Sequence, residues 1–386
     1  MKILFITQFL STTKGGGEYL FSIMANELAK KGHRIWIITH KIEGENYKNL
    51  HKNITIHFAS SIKYEGGLPP SIKENISFVF EAFRYGKKLI KIQKIDIIHS
   101  NNFTPALASS WISYFTKCPH VTALWDVFSL CGKNYWKKWA KQKNVSRVYA
   151  ILGSRFEKMI LSLRHDAIHT ISNTSRNDLL EFGAKKPIHI ISPTIENNKF
   201  TENKVNQLQF IYIGRLVFYK NVETIIRCIK TVKKQFPRIK LIIIGGGPQK
   251  QELESLVLEL KLENNVIFKG FTTEKEKNDL LSSSAAMLFP SMCEGFGLVI
   301  LEAFLSSKPV FVADKNPLPE IIENNIDGYV IEAKNENLWA QKIIEFMKKP
   351  ELSKQMGEKG MKKAKNHYTV EKMIEGIEKM YCSIIK

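Results

Sequence analysis

The stretch EGFGLVILE, residues 294–302, sets two carboxylates eight residues apart across a glycine-rich turn and the start of an apolar run. Pro290 and the pair Gly295 and Gly297 break the apolar run before it, so a helix is expected to open near Gly297. Its first N–H groups are then unpaired and point outward, with Glu294 in the preceding loop. Glu302 falls about a turn inside the helix, where a carboxylate can accept from two vicinal hydroxyls, as on a ribose. Glu294 is placed for the hydroxyls of a second sugar. Taken alone, the two acids read more readily as a helix-start acid and a solvated helix acid.

Three other loops change that balance. In TQFLSTTKGGGEYL, Gly15, Gly16 and Gly17 join a strand to a helix, and residues without Cβ let backbone approach a phosphate. The same glycines would also serve a plain flexible loop. In GRLVFYKN, Arg215 follows a strand directly and Lys220 stands five residues on, near a helix opening. Two such cations converging on a diphosphate neutralise its charge without a metal. In GGGPQ, residues 245–249, Pro248 suits a helix N1 position. That loop lacks the third glycine of GxGxxG and the GK[ST] of a P-loop, which argues against both classes. A diphosphate between Arg215, Lys220 and the helix start, with an acid on each side for sugar hydroxyls, describes a nucleotide-sugar site.

These loops need a scaffold, and the apolar pattern supplies one. Short apolar runs at 3–7, 35–39, 54–58, 95–99, 121–125 and 167–171 alternate with helical patterns such as 18–30. The rhythm restarts at 209–213, 240–244, 266–268, 285–289, 309–312 and 329–331. Such βαβ alternation implies two parallel sheets, an α/β chain. The polar stretch SPTIENNKFTENKVNQ, residues 192–207, is the linker, so the expected domains are 1–200 and 201–368, followed by a terminal helix over 369–386. In open α/β sheets ligands bind outside the carboxyl ends of the strands, where all four loops fall.

Composition narrows the class. With 386 residues and 44% hydrophobic content, two cores are expected. No apolar run reaches the roughly 18 residues of a membrane span, and the opening MKILFITQFL reads as a buried strand. Five scattered cysteines without CxxC or metal-ligand spacing to histidine imply a reducing, cytoplasmic setting and no metal site. The formal charge of +20 is concentrated early: residues 1–200 hold 29 Lys and Arg against 14 Asp and Glu. That field suits an anionic partner or a lysine-rich solvated surface. With no RRM, helix-turn-helix or zinc pattern, nucleic acid is not the expected partner.

The segments PSMCEGFGLVILEAF, LPEII, DGYVI and GRLVFYKN together resemble retaining glycosyltransferases of the GT-B fold, glycosyltransferase family 4 (glycosyl transferases group 1), from the first strand to the last helix. The resemblance implies two Rossmann-like domains facing across a cleft, with the C-terminal helix crossing back to the first. It implies that Arg215 and Lys220 hold the donor diphosphate, Glu302 the ribose and Glu294 the transferred sugar. Backbone N–H groups of Phe296, Gly297 and Leu298 would meet phosphate or sugar, and Gly16 would contact phosphate from the other domain. VIFKGFTT is similar to the family's base-binding loop, which makes Phe271 and Thr272 base neighbours. One departure stands out: in VTALWDVFSLC, Asp126 matches the family but Trp125 replaces its histidine. The tryptophan either offers a stacking face to a sugar or fills core. His99, ending IDIIHS, either points toward the cleft or is structural.

The implied reaction transfers sugar from a UDP- or GDP-linked donor to a hydroxyl of a glycan or lipid-linked acceptor, with configuration retained and no cofactor. A sugar-nucleotide epimerase of similar fold, or a catalytically weakened nucleotide-sugar-binding protein, are the alternatives. Tyr135, Trp136 and Trp139 lie among lysines, which suggests contact with an anionic membrane surface, peripheral on its cytoplasmic face, or a helix with one apolar core face.

Overall fold

Every apolar run that reads as a strand forms one. The computed structural model describes residues 1–12, 16–62, 71–132, 134–142, 147–195 and 203–385. Gly15 and residues 196–202 of the expected linker lie outside the described residues. The chain divides into two units, Met1–Glu196 with Val370–Lys386, and Asn197–Thr369.

The first unit runs β1 (Lys2–Ile6), α1 (Gly17–Lys30), β2 (Arg34–Ile42), β3 (Ile54–Ile62), α2 (Ile72–Gln93), β4 (Ile97–Ser100), α3 (Thr104–Thr116), β5 (His120–Ala123), α4 (Tyr135–Gln142), α5 (Arg147–Ser162), β6 (Ala167–Thr170), α6 (Asn173–Glu181) and β7 (Ile188–Ile190). Among the described residues these strands form a sheet in the order β3-β2-β1-β4-β5-β6-β7, every neighbouring pair parallel. The edge strand β7 escapes sequence reading because it is only IHI behind Pro187, too short to show a period.

The second unit runs β8 (Asn206–Ile213), α7 (Val222–Val232), β9 (Lys240–Ile244), α8 (Lys250–Glu259), β10 (Val266–Gly270), α9 (Glu274–Ser283), β11 (Ser284–Phe289), α10 (Leu298–Leu305), β12 (Val310–Ala313), α11 (Leu318–Ile321), β13 (Gly328–Ile331), α12 (Glu336–Met347) and α13 (Glu351–His367). Its strands lie in the order β10-β9-β8-β11-β12-β13, again all parallel. Helices cover both faces of such sheets, so inner strands such as SAAMLF of β11 are buried throughout and read as continuous apolar runs. Pro248 is not at N1 as its sequence context suggests. The helix starts two residues later at Lys250, because Lys250 N–H closes a turn onto the Gly247 carbonyl.

The last helix, α14 (Val370–Ile384), returns to the first unit. Met373, Ile374, Ile377, Met380 and Tyr381 enter the core formed by Phe5, Phe21 and Leu28. Each large apolar side chain so buried contributes about 1.5–3 kcal/mol by leaving water. Glu378 adds contacts from the same helix to Lys31 and His33.

In each sheet the strand order reverses once, between β1 and β4 and between β8 and β11. Loops leaving the two central strands must part there, which opens a crevice at their carboxyl ends.

Candidate active site

At the second unit's reversal, the loop after β8 carries Arg215 and Lys220 and the loop after β11 carries Glu294. A 3₁₀ turn at Phe218–Lys220 brings the Lys220 side chain inward, where it is 8% exposed. The Lys220 ammonium pairs with the Glu294 carboxylate and lies 5.2 Å from the Phe289 ring centre and 5.7 Å from that of Tyr219. The two loops are tied by backbone as well, since Met292 N–H donates to the Tyr219 carbonyl at 2.7 Å. Arg215 is exposed and donates from Nη2 to the Tyr219 hydroxyl at 2.8 Å, while the Tyr212 hydroxyl donates to the Arg215 carbonyl at 2.9 Å. Tyr219 therefore orients one cation and flanks the other, a role its sequence context does not announce.

Helix α10 opens as expected. Gly297 stands at its start with φ of 90°, a left-handed conformation that costs a glycine little. The N–H groups of Phe296, Gly297 and Leu298 have no hydrogen-bond acceptor among the described residues. The Phe296 side chain is buried edge-on against Tyr368, so only its backbone is offered. Three such donors at a helix start form an anion site.

Glu302 is neither solvated nor alone. Its side chain is 20% exposed and its Oε2 lies 2.9 Å from Lys277 Nζ, which also reaches Glu274 Oε2 at 2.9 Å. Burial pushes the Glu302 carboxyl above its ordinary value and Lys277 pulls it partly back. Lys277 went unread because EKEKNDLL looks like an ordinary solvated helix.

Phe271 is 84% exposed, and its ring lies where a Cβ on Gly246 would fall within 2.9 Å of it. Thr272 beside it is half-buried. The Gly246 loop is joined to the cationic loop by Leu216 N–H donating to the Gly246 carbonyl at 2.9 Å. The carboxyl ends of four adjacent strands thus bring together Arg215, Lys220, Glu294, the open N–H groups, Glu302 and an exposed aromatic face.

In the first unit the outcome differs by residue. Gly16 stands exposed at the start of α1. Trp125 is half-buried, its Cζ3 3.0 Å from where a Cβ on Gly17 would stand, and its ring packs 5.5 Å from Phe21 and 6.0 Å from His169. Its Nε1 is buried without a hydrogen-bond partner among the described residues. The half-buried Asp126 follows it, lining a small cavity with Asn102 and Glu157.

Two expectations are corrected here. His99 does not open to a cleft: it is fully buried, with Nδ1 2.7 Å from the Tyr381 hydroxyl and Nε2 3.2 Å from His169 Nδ1. Burial holds its pKa well below the ordinary value, so it stays neutral. The aromatics of α4 do not face outward either. Tyr135 is buried against Phe128, and Trp136 lies over Gly153 and donates to Glu157 at 3.1 Å. Trp139 is half-buried, 5.6 Å from Trp136. Glu157, which sequence reading passed over, also accepts from the N–H groups of Phe128 and Ser129 at 2.8 and 3.0 Å, fixing the loop that follows Asp126.

The family model "Glycosyl transferases group 1" matches residues 194–363 and "Glycosyltransferase Family 4" matches residues 14–199. The chain is 26% identical over 344 residues to an uncharacterized glycosyltransferase of Methanocaldococcus jannaschii, covering 89% of each chain. It is 28% identical over 211 residues to the poly(ribitol-phosphate) alpha-N-acetylglucosaminyltransferase of Staphylococcus aureus, spanning 54% of this chain and 42% of that one. Among solved structures, Anabaena HepE in complex with UDP superposes with a TM-score of 0.76 at 18% identity, covering 99% of this chain and 100% of that one.

Proposed function

This chain belongs to the group 1 and family 4 glycosyltransferases of the GT-B fold, and from that premise we propose that it moves a sugar from a UDP- or GDP-linked donor to an acceptor hydroxyl, retaining configuration and using no metal. The Lys220 and Glu294 pair, set beside three N–H groups without acceptors among the described residues, carries the reading. A diphosphate arriving there takes the Lys220 ammonium, Arg215 and the helix-start N–H groups, and Glu294 is released to the hydroxyls of the sugar. Glu302 accepts from the ribose and Phe271 meets the base.

In the step itself the bond from the anomeric carbon to the phosphate oxygen breaks, and the bond to the acceptor oxygen forms on the same face. The acceptor proton passes to the departing phosphate oxygen. Charge grows on that phosphate, where fixed cations and N–H dipoles already stand. The early excess of Lys and Arg suits an anionic acceptor, a glycan phosphate or lipid phosphate, and the Staphylococcus relative is named for such a polymer.

A thermal-shift series with UDP, GDP and ADP, free and sugar-linked, tests the donor reading, since a ligand that binds only the folded state raises its melting temperature. No shift with any of them sinks it. Proton NMR of the product gives the anomeric configuration, and turnover in excess EDTA tests metal independence.

A second reading, donor binding with weakened turnover, draws on Trp125, which brings bulk and no titratable group to the family's histidine position. Under it, Trp125→His raises kcat; under the first, it does not.

A further inference from the structure

We infer that the Tyr219 hydroxyl donates a hydrogen bond to the distal phosphate of a bound nucleotide, the phosphate that carries the sugar before transfer. This rests on the donor reading of the site and adds to it a neutral third donor beside the two cations. Tyr219 stands in the 3₁₀ turn Phe218–Lys220 and is 7% exposed. Its backbone carbonyl accepts from Met292 N–H at 2.7 Å, which fixes it against the loop that bears Glu294. Both cations stand near its ring, the Arg215 guanidinium carbon 5.9 Å and the Lys220 ammonium 5.7 Å from the ring centre.

The hydroxyl is placed by the same contacts. It accepts from Arg215 Nη2 at 2.8 Å. A guanidinium has donors only, so the hydroxyl's own proton is directed away from it. A phosphate oxygen taken by another N–H of that guanidinium lies next to this proton. The backbone from which Arg215 projects is held as well, because the Tyr212 hydroxyl donates to the Arg215 carbonyl at 2.9 Å and the Tyr212 ring stacks 6.4 Å from Phe289. A phenol that accepts from a cation is polarised toward donating, since successive hydrogen bonds strengthen one another. Tyr219 keeps its proton throughout the transfer, and the acceptor's proton still goes to the departing phosphate oxygen. What the hydroxyl supplies is a fixed dipole where charge grows on that oxygen.

The competing account is that Tyr219 acts only by orienting Arg215, and the two differ once Arg215 is removed. Free UDP or GDP carries on its distal phosphate the charge that the leaving group acquires, while UMP and GMP lack that phosphate. Affinity for all four is measured by titration calorimetry in wild type, Tyr219→Phe, Arg215→Ala and the double variant. Tyr219→Phe should lower diphosphate affinity about tenfold, the lower end for a hydrogen bond to a charged group, and leave monophosphate affinity unchanged. The same substitution made in Arg215→Ala should lower diphosphate affinity again. No further loss in that background overturns the inference, as does an equal loss for mono- and diphosphate at unchanged melting temperature. If Tyr219→Phe melts early, a ring-fluorinated tyrosine in place of Tyr219 decides. Its more acidic hydroxyl should tighten diphosphate binding at a pH where it keeps its proton, and unchanged binding overturns the inference. Wild type that binds neither diphosphate overturns the donor reading and this inference with it; wild type that binds, with Tyr219→Phe binding equally well, overturns this inference alone.

Discussion

The two strand-order reversals share one topology and hold opposite contents. Between β8 and β11 the loops gather Arg215, Lys220 and Glu294 around open N–H groups. Between β1 and β4, Phe5 stands opposite His99, and the space above is packed with His99, His169, Phe21 and Trp125, closed from one side by Tyr381 of α14. A parallel sheet provides a crevice wherever its order reverses; the loop sequence decides whether it becomes a charged site or neutral core. Histidine follows the same division: of the ten in the chain, only His367 lies in the second unit.

The largest expected effect comes from acid. Burial lowers His169, His165 and His40 to about 4 and His120 to about 3. An unfolded chain takes up protons on these rings below about 6.5, and the folded one does not. Their stabilising contribution is therefore complete above pH 6.5 and is lost as pH falls toward 4. At about 1.4 kcal/mol per pKa unit, one such ring forfeits on the order of 3 kcal/mol, against a total of roughly 5–15 for a domain. In the second unit Glu302 and Asp327 are shifted the other way, upward by burial, and so favour the folded state as acid is added. Hydrogen exchange by peptide between pH 7 and 4 should show the first unit losing protection first. The reverse order would break the comparison.

The next effect tests the charged reversal. In the proposed transfer, Arg215→Ala and Lys220→Ala each remove a cation from the point where leaving-group charge develops, and kcat/KM should fall about 10²- to 10³-fold, the scale of a lost oxyanion donor. Glu294→Gln should lose turnover more than nucleotide affinity, because UDP or GDP lacks the sugar assigned to Glu294 in the proposed transfer. Equal loss of affinity for free nucleotide would move Glu294 to the phosphate side.

A smaller effect separates Glu302 from its support. Lys277→Met leaves the carboxylate buried without the cation that holds its pKa down, so the pKa rises further above its ordinary value and its ionised form is disfavoured. Nucleotide affinity should fall at neutral pH and recover as pH is raised. A loss independent of pH would make Lys277 a packing residue only.

Legibility followed local signals. The strands of both sheets, the glycine opening of α10, and Arg215, Lys220, Glu294 and Glu302 were readable because each sits at a break in an apolar period. What escaped depends on contacts far apart in sequence. Lys277 is recognisable only once α9 lies beside α10, and Glu157 only once α5 lies under the 128–129 loop. Trp136 stays open in the sequence because an aromatic among lysines has one sequence pattern whether it faces lipid or Gly153. His99 was left open because a polar residue ending a strand can face solvent or, as here, a partner 282 residues away.

That distant partner gives the smallest of the tests. The Tyr381 hydroxyl is hydrogen-bonded to His99 Nδ1 and His99 Nε2 to His169 Nδ1, so one chain of hydrogen bonds runs from α14 into β4 and β6. Tyr381→Phe removes the hydroxyl and leaves a buried ring nitrogen unsatisfied, a cost of about 1–2 kcal/mol. Adding His99→Leu removes the orphaned nitrogen as well, so the double substitution should cost less than the sum of the singles if cavity terms are matched against His99→Leu alone. Nucleotide affinity should be unchanged in all three, because the donor groups of the second unit are untouched. A drop in affinity with Tyr381→Phe at full folding would mean that the neutral reversal, and not only the charged one, sets the donor site.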